Sequence, residues 1–280
     1  MKTYNCPPTL TDTQVLEFCK KGYLILEGVV PDEVNRRTVS YLDEHPHSEP
    51  TEVLDEAWFV ESVICQPQAA GAVRALLGRN LALPILMSNH RTQMPAPAQS
   101  WHRDGGSQYG PAIHYLQVFY YPETCPREMG PTELLPGSHH LFSHSGLMSH
   151  YGGIKGSVYA AVPAGSIIIT QYAIWHRRSV STATGIRNLL KYNYFRTAPP
   201  QRDWLADPAF DFTQVNFRND NALPEKWYDS VRVAQLFLWL CGLEDRFEFK
   251  GGQSWPITAG TPYQIREGLP PVLASTGENT

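Results

Sequence analysis

Beyond about Leu81 the chain breaks into short apolar runs separated by proline and glycine, at 83–88, 112–121, 157–162, 166–172 and 189–196. Runs of this length between turn residues suit strands, and several in succession must pair to bury their apolar faces. A sandwich or barrel is therefore expected.

Helices precede and follow this region. Thr11 is placed to cap a helix carrying Val15, Phe18 and Cys19 and ending at Gly22, followed by a strand at Tyr23-Leu24-Ile25-Leu26. A second helix should start at Pro31-Asp32-Glu33 and run towards His45, a third should cover 67–77, and a last one 224–240, with Gly242 as its stop. Residues 1–250 are expected to form a single domain, and 251–280, with much Gly, Pro and Thr, an extension that wraps the domain or stays disordered.

Composition narrows the class of function. With 42% apolar and 18% charged residues, the chain has ample material for a core. A net charge of −4 without a basic run offers no footprint for nucleic acid or an anionic membrane, so the expected partner is a small molecule. The N-terminus lacks an apolar signal-like segment and no stretch matches a membrane span, which reads as cytoplasmic. Five scattered cysteines without a C-x-x-C pair read as reduced thiols. Oligomeric state is left open.

The chemistry-bearing residues begin with His102-x-Asp104. In extended chain, residues two apart point to one side, so an imidazole and a carboxylate can converge on one ion. Alone the pair is weak. His176, after the apolar run 166–172, supplies a second imidazole, and two histidines with one carboxylate form the facial ligand set that leaves positions open on iron(II). Eleven residues later stands Arg187, which a hairpin would return towards the interior, where a guanidinium requires an anion and suits a carboxylate.

Taken in order, His102-x-Asp104, the segment from Gly130-Pro131-Thr132-Glu133 to Pro136-Gly137-Ser138-His139, His176 and Arg187 resemble the phytanoyl-CoA dioxygenase family of iron(II)/2-oxoglutarate oxygenases. The opening helix and strand resemble it too, so the likeness spans roughly residues 10 to 196. It implies a mainly β fold with flanking helices, the double-stranded β-helix or jelly-roll (cupin-like) barrel. His102, Asp104 and His176 would hold Fe(II), and Arg187 would pair with the distal carboxylate of 2-oxoglutarate. Oxidative decarboxylation with O2 would give succinate and CO2 and drive hydrogen abstraction from a small metabolite. Because Asp104 is a carboxylate rather than a small residue, hydroxylation, desaturation or ring formation is favoured over halogenation.

Around this set, Gln117 is a polar residue in an apolar strand and a candidate for binding the co-substrate. Arg91, Gln93, Trp101 and Trp175 are candidates for substrate contact; the ordinary readings are a surface charge for Arg91, a satisfied core amide for Gln117 and core packing for the tryptophans. Arg177, Arg178 and Arg196 read first as solvated charges and second as an anion site. Two other functions compete: a zinc-dependent hydrolase using His139, His140, His144 and His150, and a non-catalytic ligand-binding barrel.

Overall fold

The computed structural model describes residues 1–104, 110, 112–141, 149–215 and 226–243, with short pieces at 248–249, 263–264, 269 and 271. After β1 (Thr3–Tyr4), helix α1 (Asp12–Lys21) starts with a reciprocal cap between Thr11 and Gln14 and stops at Gly22, whose φ of 79° is left-handed. Val15, Phe18 and Cys19 are buried, as their spacing predicts. Then come β2 (Tyr23–Leu26), α2 (Asp32–Glu44), the single turn α3 (Ala57–Phe59) and α4 (Pro67–Leu77), which begins on proline. The 3-10 and π turns at Thr51–Asp55 and Val60–Ile64 are additions that no periodicity announced.

The remaining strands are β3 (Leu81–Ala82), β4 (Ser88–Asn89), β5 (Thr92–Met94), β6 (Tyr115–Tyr121), β7 (Thr132–Leu134), β8 (Val158–Tyr159), β9 (Ser166–Gln171), β10 (His176–Arg178), β11 (Gly185–Arg187) and β12 (Leu190–Phe195). Helix α5 (Lys226–Leu240) follows, and Gly242 takes a φ of 73° beyond it. The expected strand at 83–88 is corrected: Pro84 lacks an N–H for a ladder, Ile85 and Leu86 are exposed, and only Ser88 pairs onward.

The major antiparallel sheet runs β1-β3-β12-β6-β9-β2, with β4 also on β12. A smaller sheet, β10-β7-β8, and the pair β11-β5 form the other layer. Among the described residues the ladders do not close into a ring; two layers face each other instead. Strand alternation sorts the side chains. Leu116, Val118 and Tyr120 of β6, Ile167 and Ile169 of β9, and Leu190, Tyr192 and Tyr194 of β12 join the helices in the main core. Phe119, Tyr121 and Ile168, one position out of phase, meet Leu134, Ile174 and Leu189 between the layers. One sheet therefore has a helix-covered outer face and an inner face free to carry chemistry.

Much of the expected extension 251–280 lies outside the described residues. Its described pieces do engage the chain: β14 (Tyr263–Gln264) pairs with β13 (Glu248–Phe249), and Leu269 packs against the main core. All five cysteines are free. No helix among the described residues is long and apolar enough to cross a membrane.

Candidate active site

His102 and His176 are held opposite each other by two backbone hydrogen bonds, His102 N to His176 O at 3.1 Å and His176 N to His102 O at 3.0 Å. Their rings lie 4.5 Å apart. In each residue Nδ1 donates to the carbonyl two positions earlier, at 2.9 Å to Ser100 and 3.1 Å to Ile174. A carbonyl can only accept, so Nδ1 carries the proton and Nε2 keeps its lone pair, the tautomer a metal requires. Asp104 completes the group: one ligand atom from each of the three residues falls within 4.8 Å of the others. Among the described residues no other such cluster occurs.

Burial pushes the His176 imidazole towards its neutral form, partly offset by Asp104. Burial also raises the Asp104 carboxyl, but His176 and Lys191, with donation from Gln117, outweigh it and hold the group below its usual range. Asp104 thus stays an anion. Its Oδ2 lies 2.7 Å from Lys191 Nζ and accepts from Gln117 Nε2 at 2.6 Å. Two imidazoles whose Nδ1 atoms are engaged and whose Nε2 atoms face Asp104, with an anionic carboxylate, fit a divalent metal.

Arg187 enters by a route that the spacing did not predict. Instead of forming a hairpin, β10 and β11 diverge to different partners: His176 pairs with Leu134 of β7, and Arg187 with Thr92 of β5. The intervening Ser179, Ser181 and Thr182 bond to Pro131, Ala96 and Glu128. Arg187 nonetheless reaches the interior, 4% exposed, and donates to Tyr121 Oη at 3.1 Å and Thr132 Oγ1 at 3.4 Å. Its Nε has no partner, and no carboxylate among the described residues pairs with it. A cavity of about 220 Å³ joins Arg187 to His102 and His176, walled by Phe119, Leu189 and Thr132.

The Gly130 to His139 segment supports this cavity. Gly130, at a φ of 65°, passes so close to Ser179 O that a Cβ would sit 2.7 Å from it. Glu133, fully buried, binds Arg177 at 2.7 Å, and Ser138 Oγ accepts from Trp175 N at 2.8 Å, so β7 and its turn hold β10 in place.

A model of the phytanoyl-CoA dioxygenase family matches residues 18–187, well over half of the chain and all four site positions. The chain belongs to that family. The PhyH match makes it a non-haem iron, 2-oxoglutarate-dependent enzyme. Among solved structures, HygX from Streptomyces hygroscopicus with nickel and 2-oxoglutarate bound is 16% identical, at a TM-score of 0.53, covering 72% of this chain and 93% of its own. The epimerase SnoN, in complex with Fe3+, alpha ketoglutarate and nogalamycin RO, is 15% identical at a TM-score of 0.53, covering 66% of this chain and 83% of its own. At these identities the likeness is one of fold. No curated protein matches by sequence.

Other expected positions lie elsewhere in this PhyH chain. Gln117 stands against Asp104 and not in the cavity of Arg187, because even-spaced residues of β6 reach different depths along the inner face. Arg91 pairs with Asp43 at 2.9 Å, and Gln93 donates to Met94 and Gly185 carbonyls; neither lines the metal cavity. Trp101 and Trp175 are fully buried with Leu135 in a small core of their own, Trp101 donating to Gly152 O at 2.8 Å. Large rings in strand-like segments are drawn into the core by the area they bury. Arg177 and Arg178 both line the cavity, Arg177 while paired with Glu133, whereas Arg196 bonds the Ile113 and Leu76 carbonyls, so the three arginines form no shared site.

Of the histidine-rich stretch, His139 and His140 are structural, and His150 is exposed with its ring against Tyr151. His139 and His140 both donate Nε2–H to Cys19 O, at 3.0 and 2.7 Å, which ties the turn after β7 to α1. His144 lies outside the described residues. Lys191 and His90 were missed by sequence reasoning, although both line the cavity. A lysine four positions after Arg187, at the same strand parity, was the available signal for Lys191.

Proposed function

We propose that this enzyme oxidises a small-molecule metabolite by hydrogen abstraction, with His102, Asp104 and His176 as iron ligands and Arg187 as the anchor for 2-oxoglutarate. The observation that carries this reading is the buried Arg187 guanidinium, which shares a cavity with both histidines and has no carboxylate of its own. A buried fork of this kind calls for an anion, and a dicarboxylate can satisfy it while its other end reaches the metal.

Iron(II), when bound, supplies oxygen activation coupled to decarboxylation of 2-oxoglutarate to succinate and CO2. The chain's own contribution is placement. Ser100 and Ile174 carbonyls fix the two imidazole tautomers, and Gln117 orients Asp104 through its Oδ2. Tyr121 and Thr132 steady the guanidinium, while Phe119 and Leu189 give the cavity an apolar wall. Retention of the Asp104 carboxylate favours hydroxylation, desaturation or ring formation over halogenation. The net charge of −4, without a basic run, supports a small-molecule partner rather than nucleic acid or membrane.

Succinate release from 2-oxoglutarate by anaerobically loaded protein on admission of oxygen tests the proposal. The release should require iron and be lost in His102→Ala and Arg187→Ala. Zinc retention with no succinate from the wild type would overturn it.

A further inference from the structure

A second cavity, of about 350 Å³, shares Lys191 with the first and reaches Asp104, but does not include Arg187. Gln117 and Asn193 both line it, from directly opposed positions on β6 and β12. Because the Asp104 carboxylate can only accept, the hydrogen bond from Gln117 fixes its amide with nitrogen towards Asp104 and oxygen away. Gln117 is 2% exposed, and its Oε1 is left without a partner. Asn193 Oδ1 is likewise buried and unpartnered. Two neighbouring buried acceptors lacking donors are costly unless something supplies a hydrogen.

The cavity's other walls differ in character. Phe195 and Tyr172 line it, as do Ile85 and Leu86, which are 59% and 69% exposed. Large aliphatic side chains left open to water beside a pocket suit an apolar ligand surface.

Resting on the function proposed above, we infer that this second cavity takes the prime substrate and that Gln117 and Asn193 select one with a hydrogen-bond donor, a hydroxyl or amine N–H, near the carbon attacked. The apolar body of that substrate lies against Ile85, Leu86 and Phe195. Arg187 and the donor-selecting pair thereby divide the two organic reactants between two cavities that meet at Lys191.

Matched probes on one bicyclic skeleton, 1-indanol, 1-aminoindane, 1-methoxyindane and indane, test this by saturation-transfer NMR. The full-length protein would carry 2-oxoglutarate, with zinc replacing iron to keep the site diamagnetic. The alcohol and the amine should bind about tenfold more tightly than the ether and the hydrocarbon. Asn193→Leu, which removes one of the two acceptors, should reduce that preference, Asn193→Asp should keep it, and Ile85→Glu should weaken all four probes. Equal binding of alcohol and ether, binding of none, or a preference left unchanged by Asn193→Leu in a folded variant overturns the inference. Wild-type succinate release, measured separately with iron, shows whether the functional proposal fails instead.

Discussion

Lys191 Nζ lies 2.7 Å from Asp104 Oδ2, so a cation already sits on the carboxylate that a metal would use. At about 5 Å and an effective dielectric near 20, repulsion between unit charges is about 3 kcal/mol before further screening. Lys191→Met should therefore tighten Mn(II) binding by about tenfold in anaerobic calorimetry. Weaker binding would show instead that the ammonium orients Asp104 for the metal.

Arg187→Lys keeps the charge but loses the planar fork, a change that is not conservative at a bidentate site. The expected result is a rise of about a hundredfold in the KM for 2-oxoglutarate, with Mn(II) affinity changed by less than about threefold. Steady-state succinate kinetics and metal titration separate the two effects. Loss of metal binding in parallel would place Arg187 in the scaffold rather than on the co-substrate.

Glu133 is fully buried and its partner is Arg177, at 2.7 Å. Removing one member strands the other charge, which typically costs about 3–5 kcal/mol, whereas replacing both with apolar residues is often nearly neutral. Urea unfolding should show Arg177→Met strongly destabilised and the double variant Glu133→Met/Arg177→Met largely restored. Equal stability of the single variant and wild type would remove the pair from the account of how β10 is held.

His140 is buried, and burial lowers its pKa to about 4. The unfolded chain takes up a proton near pH 6.5 and the folded chain does so only near 4, so stability falls as pH drops through that window. Between pH 7 and 5 this single residue accounts for about 2 kcal/mol. Thermal melts of wild type and His140→Gln across that range should differ in slope, the variant being flatter. Parallel slopes would assign the acid sensitivity to other groups.

The helices were legible because their signals are local. Thr11 and Gln14 cap α1, Gly22 and Gly242 end helices in left-handed turns, and Pro67 opens α4, all through contacts within a few residues. The longer strands were legible too, from runs such as Ser166–Gln171, but not 83–88, where Pro84 breaks the ladder, nor the short β1, β5 and β7, which lie outside any such run. The metal group was found from residue type and order, since His102, Asp104 and His176 carry their chemistry in their side chains.

The sequence by itself determined which residues could bind iron and where helices start and stop, because these follow from side-chain chemistry and short-range backbone geometry. Only the tertiary structure decided how they meet. Strand partners depend on distant segments: β10 chose β7 and β11 chose β5 in place of the hairpin that an eleven-residue spacing suggested. Parity along a strand tells which residues share a face, but not how deep each lies, so Gln117 landed on Asp104 and Lys191 between two cavities. Burial of large rings likewise drew Trp101 and Trp175 into the core, a competition for area that no local pattern records.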